Sequence, residues 1–382
     1  MTDPVPSGPA PSGTPASGPP VSGPASWHAD AGAAAAAAWL DSLDPDALAV
    51  ATGAGPSGDA GRDAERRRWF YTPTDHGGLT LHAQSPTAQQ RAMQLLATGL
   101  SEAGFAAVAA VMGLENVLDR AQGWPTRPYR ERFRDPGLYH LRVFGDPGSP
   151  TWGWRFGGHH VSVHLLVVDG RVAASTPNFL GANPASVALP GGARSRPLGP
   201  PEDLARAIVR GLPVELFDRA LLSPQAPPDL VTANRPLVAP GDRPLPTASI
   251  RREGPPGGDP VPGTEDVALT AAPAGIPASA LDDRGREQLR TLLSAYLDRA
   301  PAGLSPMPRY DDDAVLDEVH LAWAGSVEPG EPHYYRLHGP RLLLEWDDTQ
   351  DGADHAHSVW RDPENDLGLD LLDDHHRAFA HR

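Results

Sequence analysis

The chain has no cysteine, which excludes disulfides, thiolate metal ligands and a cysteine nucleophile. It has no lysine either. All 32 basic residues are arginine, so Schiff-base chemistry and a catalytic lysine are excluded as well. With heavy use of Ala, Gly, Pro and Arg, that avoidance is read as the mark of a GC-rich genome. No apolar run reaches the roughly 18 residues that a membrane-spanning helix needs. The N-terminal Met1-Thr-Asp-Pro-Val-Pro shows neither the basic lead-in nor the apolar stretch of a secretory signal. The expectation is a cytoplasmic protein without a membrane partner. A formal net charge of −16 also argues against nucleic acid, because an acidic surface repels phosphate at long range.

Proline and glycine, by contrast, are abundant, at 44 and 40 of 382 residues. Residues 1–26 are almost wholly Pro, Gly, Ser, Ala and Thr, which cannot bury enough apolar surface to offset the entropy of ordering. Residues 1–61 are expected to form a disordered tail with a short helix around Trp39 and Leu40. Residues 62–382 are expected to form one α+β domain, interrupted by a Pro-rich irregular segment at about 222–279.

Helix and strand signals fill that domain. Ser85 as N-cap and Pro86 at the first helical position open one helix. A second spans Ser101–Arg120, where Phe105, Val108, Val111 and Leu114 recur at three-residue steps. Strands are expected at Tyr139–Phe144, Trp152–Phe156, His159–Val168 and Arg171–Ser175, with Asp169-Gly170 as a hairpin turn. Thr176–Pro184 reads as an ordered loop, and Glu202–Asp218 and Ala280–Asp298 as helices. Four strands follow: Glu318–Ala324, His333–His338, Arg341–Trp346 and about His355–Trp360. The fold class is α+β, a mainly antiparallel sheet core flanked by helices.

Histidines mark the candidate site. In His159-His160-Val-Ser-Val-His164, an extended strand places His160, Ser162 and His164 on one face and His159 on the other. His160 and His164 then lie too far apart to share an ion directly. His355 and His357, at i and i+2, share a strand face with Cα atoms roughly 6.6 Å apart, from which two imidazoles can converge on one cation. Two neighbouring β-segments bringing His160 to this pair, with His159 and His164 as further ligand candidates, would hold a divalent metal such as iron, zinc or copper. Glu345 is a candidate carboxylate ligand. Glu345 or Asp362 is also the candidate to orient a histidine acting as acid or base. Arg155 and Arg361 are expected to bind an anionic group, while Asn178, Asn183 and Gln350 fix orientation. Asp347–Gly352 resembles half of an EF-hand loop, but no helices flank it, so it reads as a strand-connecting turn.

The segments Trp152–His164, Pro177–Pro184 and Leu344–Asp362, with Asp366–Leu372, resemble a bacterial family of domains of unknown function. The likeness spans roughly Trp69 to His376. That family's pattern carries an amide where this chain has Asp348 and Asp354, and a tyrosine in place of Trp346. The resemblance implies where a site lies and gives no chemistry for it. From the residues, the expectation is a metal-dependent hydrolase or oxidoreductase acting on a small anionic substrate. A non-enzymatic anion-binding module and a metal-free histidine acid/base hydrolase remain open beside it.

Overall fold

Alternating apolar residues along a run of antiparallel strands build one large sheet, and the helices cover one of its faces. The computed structural model describes residues 24–126, 132–250 and 257–368. The disorder expected of residues 1–23, and the pair His375 and His376, lie outside the described residues. The long strands are β1 (His140–Phe144), β2 (Trp152–Gly158), β3 (Val161–Val168), β4 (Arg171–Ala174), β5 (Asn178–Ala182), β6 (His320–Gly325), β7 (His333–Gly339), β8 (Leu342–Asp348) and β9 (Ala356–Arg361). Their order across the sheet is β1-β2-β3-β5-β9-β8-β7-β6, with β4 beside the far end of β3. All these pairings are antiparallel. Among the described residues, only two short edge segments, Thr52–Gly53 and Leu221–Ser223, pair in parallel.

The longer helices are α1 (Pro24–Leu40), α2 (Pro45–Ala51), α3 (Pro86–Thr98), α4 (Glu102–Ala121), α5 (Gly199–Arg210), α6 (Val214–Ala220) and α7 (Asp283–Leu297). The Ser85 side chain caps α3 by accepting from Ala88 N, and the Ser101 side chain caps α4 by accepting from Gly104 N, each satisfying an amide left free at a helix start. Leu95, Val108, Val111, Ile208 and Leu292 from these helices join Trp154, Val163, Leu180, Leu344 and Trp360 of the sheet in the main core. No described helix is long and apolar enough to cross a membrane.

Three expectations are corrected. Chain order begins well before residue 61, because α1 buries Ala36 and Trp39 completely and Trp39 Nε1 donates to Gln84 Oε1 at 2.9 Å. Its alanine run gives no amphipathic signal, yet alanine is the best helix former and allows close packing. The expected loop Thr176–Pro184 contains β5, a fully buried central strand. Its flanking prolines read as loop, whereas they only bound the strand. The single helix expected at Glu202–Asp218 is two, broken at Gly211-Leu-Pro213, where proline removes an amide donor and crowds the preceding turn.

The described parts of segment 222–279 are largely irregular, as expected, but they form a wall of the fold. Leu230, Ala233, Leu245 and Ile250 pack with Trp69, Tyr71, Phe179 and Val359, and Val231 and Val267 pack with Tyr334 and Leu343. These residues cover the sheet face opposite the helices, where β8 and β9 present Glu345, Asp347 and His357.

Candidate metal centre

His160 reaches the site through a turn rather than a strand. It is the second residue of the two-residue connection between β2 and β3 and has a φ of 64°, a left-handed conformation that costs a side-chain-bearing residue of order 1 kcal/mol. The surroundings hold it there: His160 N donates to Tyr71 O at 3.0 Å and His160 O accepts from Gly181 N at 2.8 Å. Alternation along an extended strand therefore does not govern His160, which corrects the expectation that it shares a face with Ser162 and His164.

The ring of His160 lies over Gly181 of β5, where an added Cβ would come 2.9 Å from His160 Cγ. Gly181 stands opposite His357 in the β5–β9 register. Because glycine leaves that place empty, the ring fits beside His357. His160 Nε2 is 2.9 Å from His355 Nε2 and 3.3 Å from His357 Nε2. Two nitrogens bound to one ion at about 2.1 Å lie about 3.0 Å apart at a right angle and about 3.4 Å apart at a tetrahedral angle, so these spacings are those of neighbouring ligands.

The outer ring nitrogens set the tautomers. His357 Nδ1 is 2.9 Å from Asp229 Oδ1, and His355 Nδ1 is 3.2 Å from Asp351 Oδ2. A carboxylate accepts, so both rings carry hydrogen on Nδ1 and turn a lone pair on Nε2 inward. The Nε2 of His160 carries one hydrogen at most and faces both lone pairs. Burial, followed by the neighbouring His357 and His159, pulls His355 down to about 2. Burial, then His159, His355 and His357, holds His160 well below the ordinary histidine range. Both rings are neutral at pH 7, the form that binds a metal.

His159 stacks on His160 with ring centroids 3.7 Å apart. Its Nδ1 meets Glu115 Oε1 in a short contact, and Arg134 Nη1 lies 3.3 Å from both its ring nitrogens. Burial, partly opposed by Glu115, lowers its pKa. Two buried groupings can thus hold a metal ion: His159 with His160 and His355, and Asp229 with Asp347 and His357, the ligand atoms of each lying within 4.8 Å of one another.

A family model described as a protein of unknown function, DUF3500, matches residues 26–369. The chain belongs to this family. No curated protein and no solved structure matches it.

Several other candidates in this DUF3500 chain are committed elsewhere. Buried Arg155 donates to Glu65 O, Arg68 O and His76 O and pairs with Glu65 Oε1, so it holds the 65–77 segment and not a ligand. Arg361 Nε pairs with Asp366 Oδ2 at 2.6 Å and its Nη2 donates to Arg235 O. Glu345 accepts from Val231 N, Thr232 N, Thr232 Oγ1 and Tyr334 OH; it anchors the loop that carries Asp229 and is neither ligand nor acid/base. Asp362 pairs with Arg341 at 2.6 Å. His164 Nε2 meets Ser162 Oγ at 3.0 Å, outside the histidine cluster. Asn178, opposite Trp360, shares the helix-covered face with Leu180.

Two candidates do lie near the centre. Asn183 Nδ2 donates to Asp351 Oδ2 at 3.1 Å and so steadies the partner of His355. Gln350 Nε2 donates to Pro228 O beside Asp229 and lines a cavity of about 410 Å³. Sequence reasoning missed Asp229, Asp347, Asp351, Glu115, Arg134 and Tyr71. Glu115 alone left a signal, because it interrupts the buried face of α4 between Val111 and Leu118, and an acid on an apolar stripe needs a partner.

Proposed function

We propose that this chain is a metal-dependent enzyme in which Nε2 of His160, His355 and His357 binds a divalent ion and a small anionic substrate is hydrolysed beside it. The observation that carries this reading is that His160 Nε2 lies at ligand spacing from Nε2 of both His355 and His357, whose outer ring nitrogens each meet a carboxylate. Imidazole donors suit zinc, copper and iron. Three neutral ligands leave the ion its full double charge, which lowers the pKa of a bound water towards neutrality and polarises a substrate oxygen.

Hydrolysis is favoured over oxidation by the His159–Glu115 pair, which gives the site a proton acceptor beside His160. Arg134, whose Nη1 lies 3.3 Å from both ring nitrogens of His159, is our candidate for the anion-binding role first expected of Arg155 and Arg361.

Elemental analysis of tag-free protein tests the reading. Close to one equivalent of metal or more is expected, with loss of the histidine-bound ion in His355→Ala and His160→Ala. Protein that stays metal-free after incubation with zinc, copper and ferrous iron would sink it. Oxygen uptake by an iron- or copper-loaded protein, with no hydrolysis of anionic esters, would move the reaction class to oxidation.

A further inference from the structure

We propose a second cation site, formed by Asp229, Asp347 and Nδ1 of His357, so that the His357 ring bridges two ions. The proposal rests on the metal-dependent reading of the histidine site.

Elsewhere in this fold a buried acid sits beside a basic side chain. Asp63 pairs with Arg66, Asp119 with Arg132, Glu202 with Arg206, Asp366 with Arg361, and Glu115 with His159. The four remaining buried acids are Asp229, Glu345, Asp347 and Asp348, and none of them forms an ion pair with an arginine among the described residues. Three of them share the sheet face of His357: Asp347 faces it in the β8–β9 register, Glu345 lies two residues along β8, and Asp229 meets its Nδ1, whereas Asp348 stands opposite Ala356 on the helix-covered face and accepts from His355 N. Arg336 stands opposite Glu345 in the register but gives Nη1 to Val267 O and no nitrogen to a carboxylate. Negative charge taken out of water needs a counter-charge, and among the described residues Asp229 and Asp347 form an ion pair with His357 alone.

Asp347 shows where that counter-charge belongs. It is fully buried; its Oδ1 accepts from Thr349 Oγ1 at 3.0 Å, while its Oδ2 has no hydrogen-bond partner and points at His357 Nδ1 from 3.8 Å. With Asp229 Oδ1 at 2.9 Å from the same nitrogen, one nitrogen and two carboxylate oxygens surround a point at ligand spacing. A divalent ion entering there displaces the Nδ1 hydrogen of His357, which leaves as a proton, and the two carboxylates balance the added charge. The competing arrangement is a proton shared by Asp229 and Asp347.

Titration of metal-free full-length protein with Cu(II), followed by elemental count and electron paramagnetic resonance, separates the two. Two ions per chain are expected, with resonance intensity well below two spins because the bridging imidazolate couples them. Asp347→Asn is expected to bind one ion with full intensity, weakening the second equivalent about a hundredfold. If Asp347→Asn fails to fold, the count and intensity of the unsubstituted chain decide alone. One ion, kept by Asp347→Asn and lost by His355→Ala, overturns the second site and leaves the histidine site standing. No bound ion overturns both.

Discussion

Gly181→Ala tests whether the ring of His160 is a ligand without altering any ligand. The added Cβ would sit 2.9 Å from His160 Cγ, 3.0 Å from its Cδ2 and 3.0 Å from Ala356 O. Non-bonded carbons prefer about 3.5–4.0 Å, so the ring must retreat by roughly 0.6 Å or more, or β5 and β9 must part. Gly181 is not among the residues with positive φ, so alanine brings no backbone strain and the whole effect is steric. Overpacking of this kind costs about 1–3 kcal/mol. If the strain is released by His160 swinging away from His355 and His357, the ion loses that binding energy, about 5- to 150-fold in affinity. Competition against a chromophoric chelator measures it, with circular dichroism to show that the sheet survives. Gly113→Ala in α4, where an added Cβ meets nothing within 4 Å, is the control and should bind like the parent. Unchanged affinity in folded Gly181→Ala would refute the reasoning, because the ring cannot both yield to the methyl group and remain a ligand.

Asp229→Asn should weaken metal binding by about 10- to 100-fold, the usual effect of removing an outer carboxylate. Isothermal titration reads it, and an unaltered constant would count against Asp229 as the orienting group. Arg155→Met should lower unfolding free energy by about 3 kcal/mol, because the carbonyls of Glu65, Arg68 and His76 lose a buried charged donor. Metal content should not change, whereas loss of metal without loss of stability would return Arg155 to the site. Burial, then Arg206, lowers His333 to about 4, against about 6.5 in an unfolded chain. Between those values the unfolded chain binds the proton more tightly, so stability falls as pH drops from 6.5 to 4, by about 3 kcal/mol for this residue. His355, lowered to about 2, acts in the same direction. Asp348, raised to about 6 by burial, opposes them, since the stability it contributes is lost as pH rises from about 4 to 6. Urea midpoints at pH 7 and pH 4 check the net sign, and a higher midpoint at pH 4 would contradict it.

The sheet was largely legible because its strands are short apolar-rich runs bounded by turn signals such as Asp-Gly and Gly-Pro pairs. Asp169-Gly170 joins β3 to β4, and β6 to β9 fall close to the runs that those signals bound. His357 lies on a strand as expected, whereas His355 precedes β9 and is placed by its amide donating to Asp348 Oδ1 and not by strand alternation. Other parts depend on tertiary context. The left-handed turn at His160 is held by its hydrogen bonds to Tyr71 O and from Gly181 N, which no local pattern announces. Asp229 lies in a Pro-rich stretch without periodicity, 128 residues from the histidine it orients. Arginine type alone does not separate a substrate clamp from a scaffold, because the same five donors serve a carboxylate or a row of carbonyls. Arg155 gives its donors to the carbonyls of Glu65, Arg68 and His76, and Arg361 gives Nε to Asp366 and Nη2 to Arg235 O.

Strand register and the histidine centre are one constraint. His160 and His355 are 195 residues apart in sequence, and β5 lies between the strands that carry them. In the observed register Gly181 faces His357, with Ala182 opposite Ala356 and Leu180 opposite Ser358. A slip of one residue between β5 and β9 would put Leu180 or Ala182 opposite His357 and reverse the faces of β5. The space now filled by the His160 ring would hold a methyl or isobutyl group, and Leu180 would leave the core beneath the helices. Burial of Leu180 and Ala182 therefore fixes the register, and the register in turn opens the gap at Gly181 that admits the third imidazole. The hydrophobic pattern of a five-residue strand thus sets a geometry whose ligands all lie outside that strand.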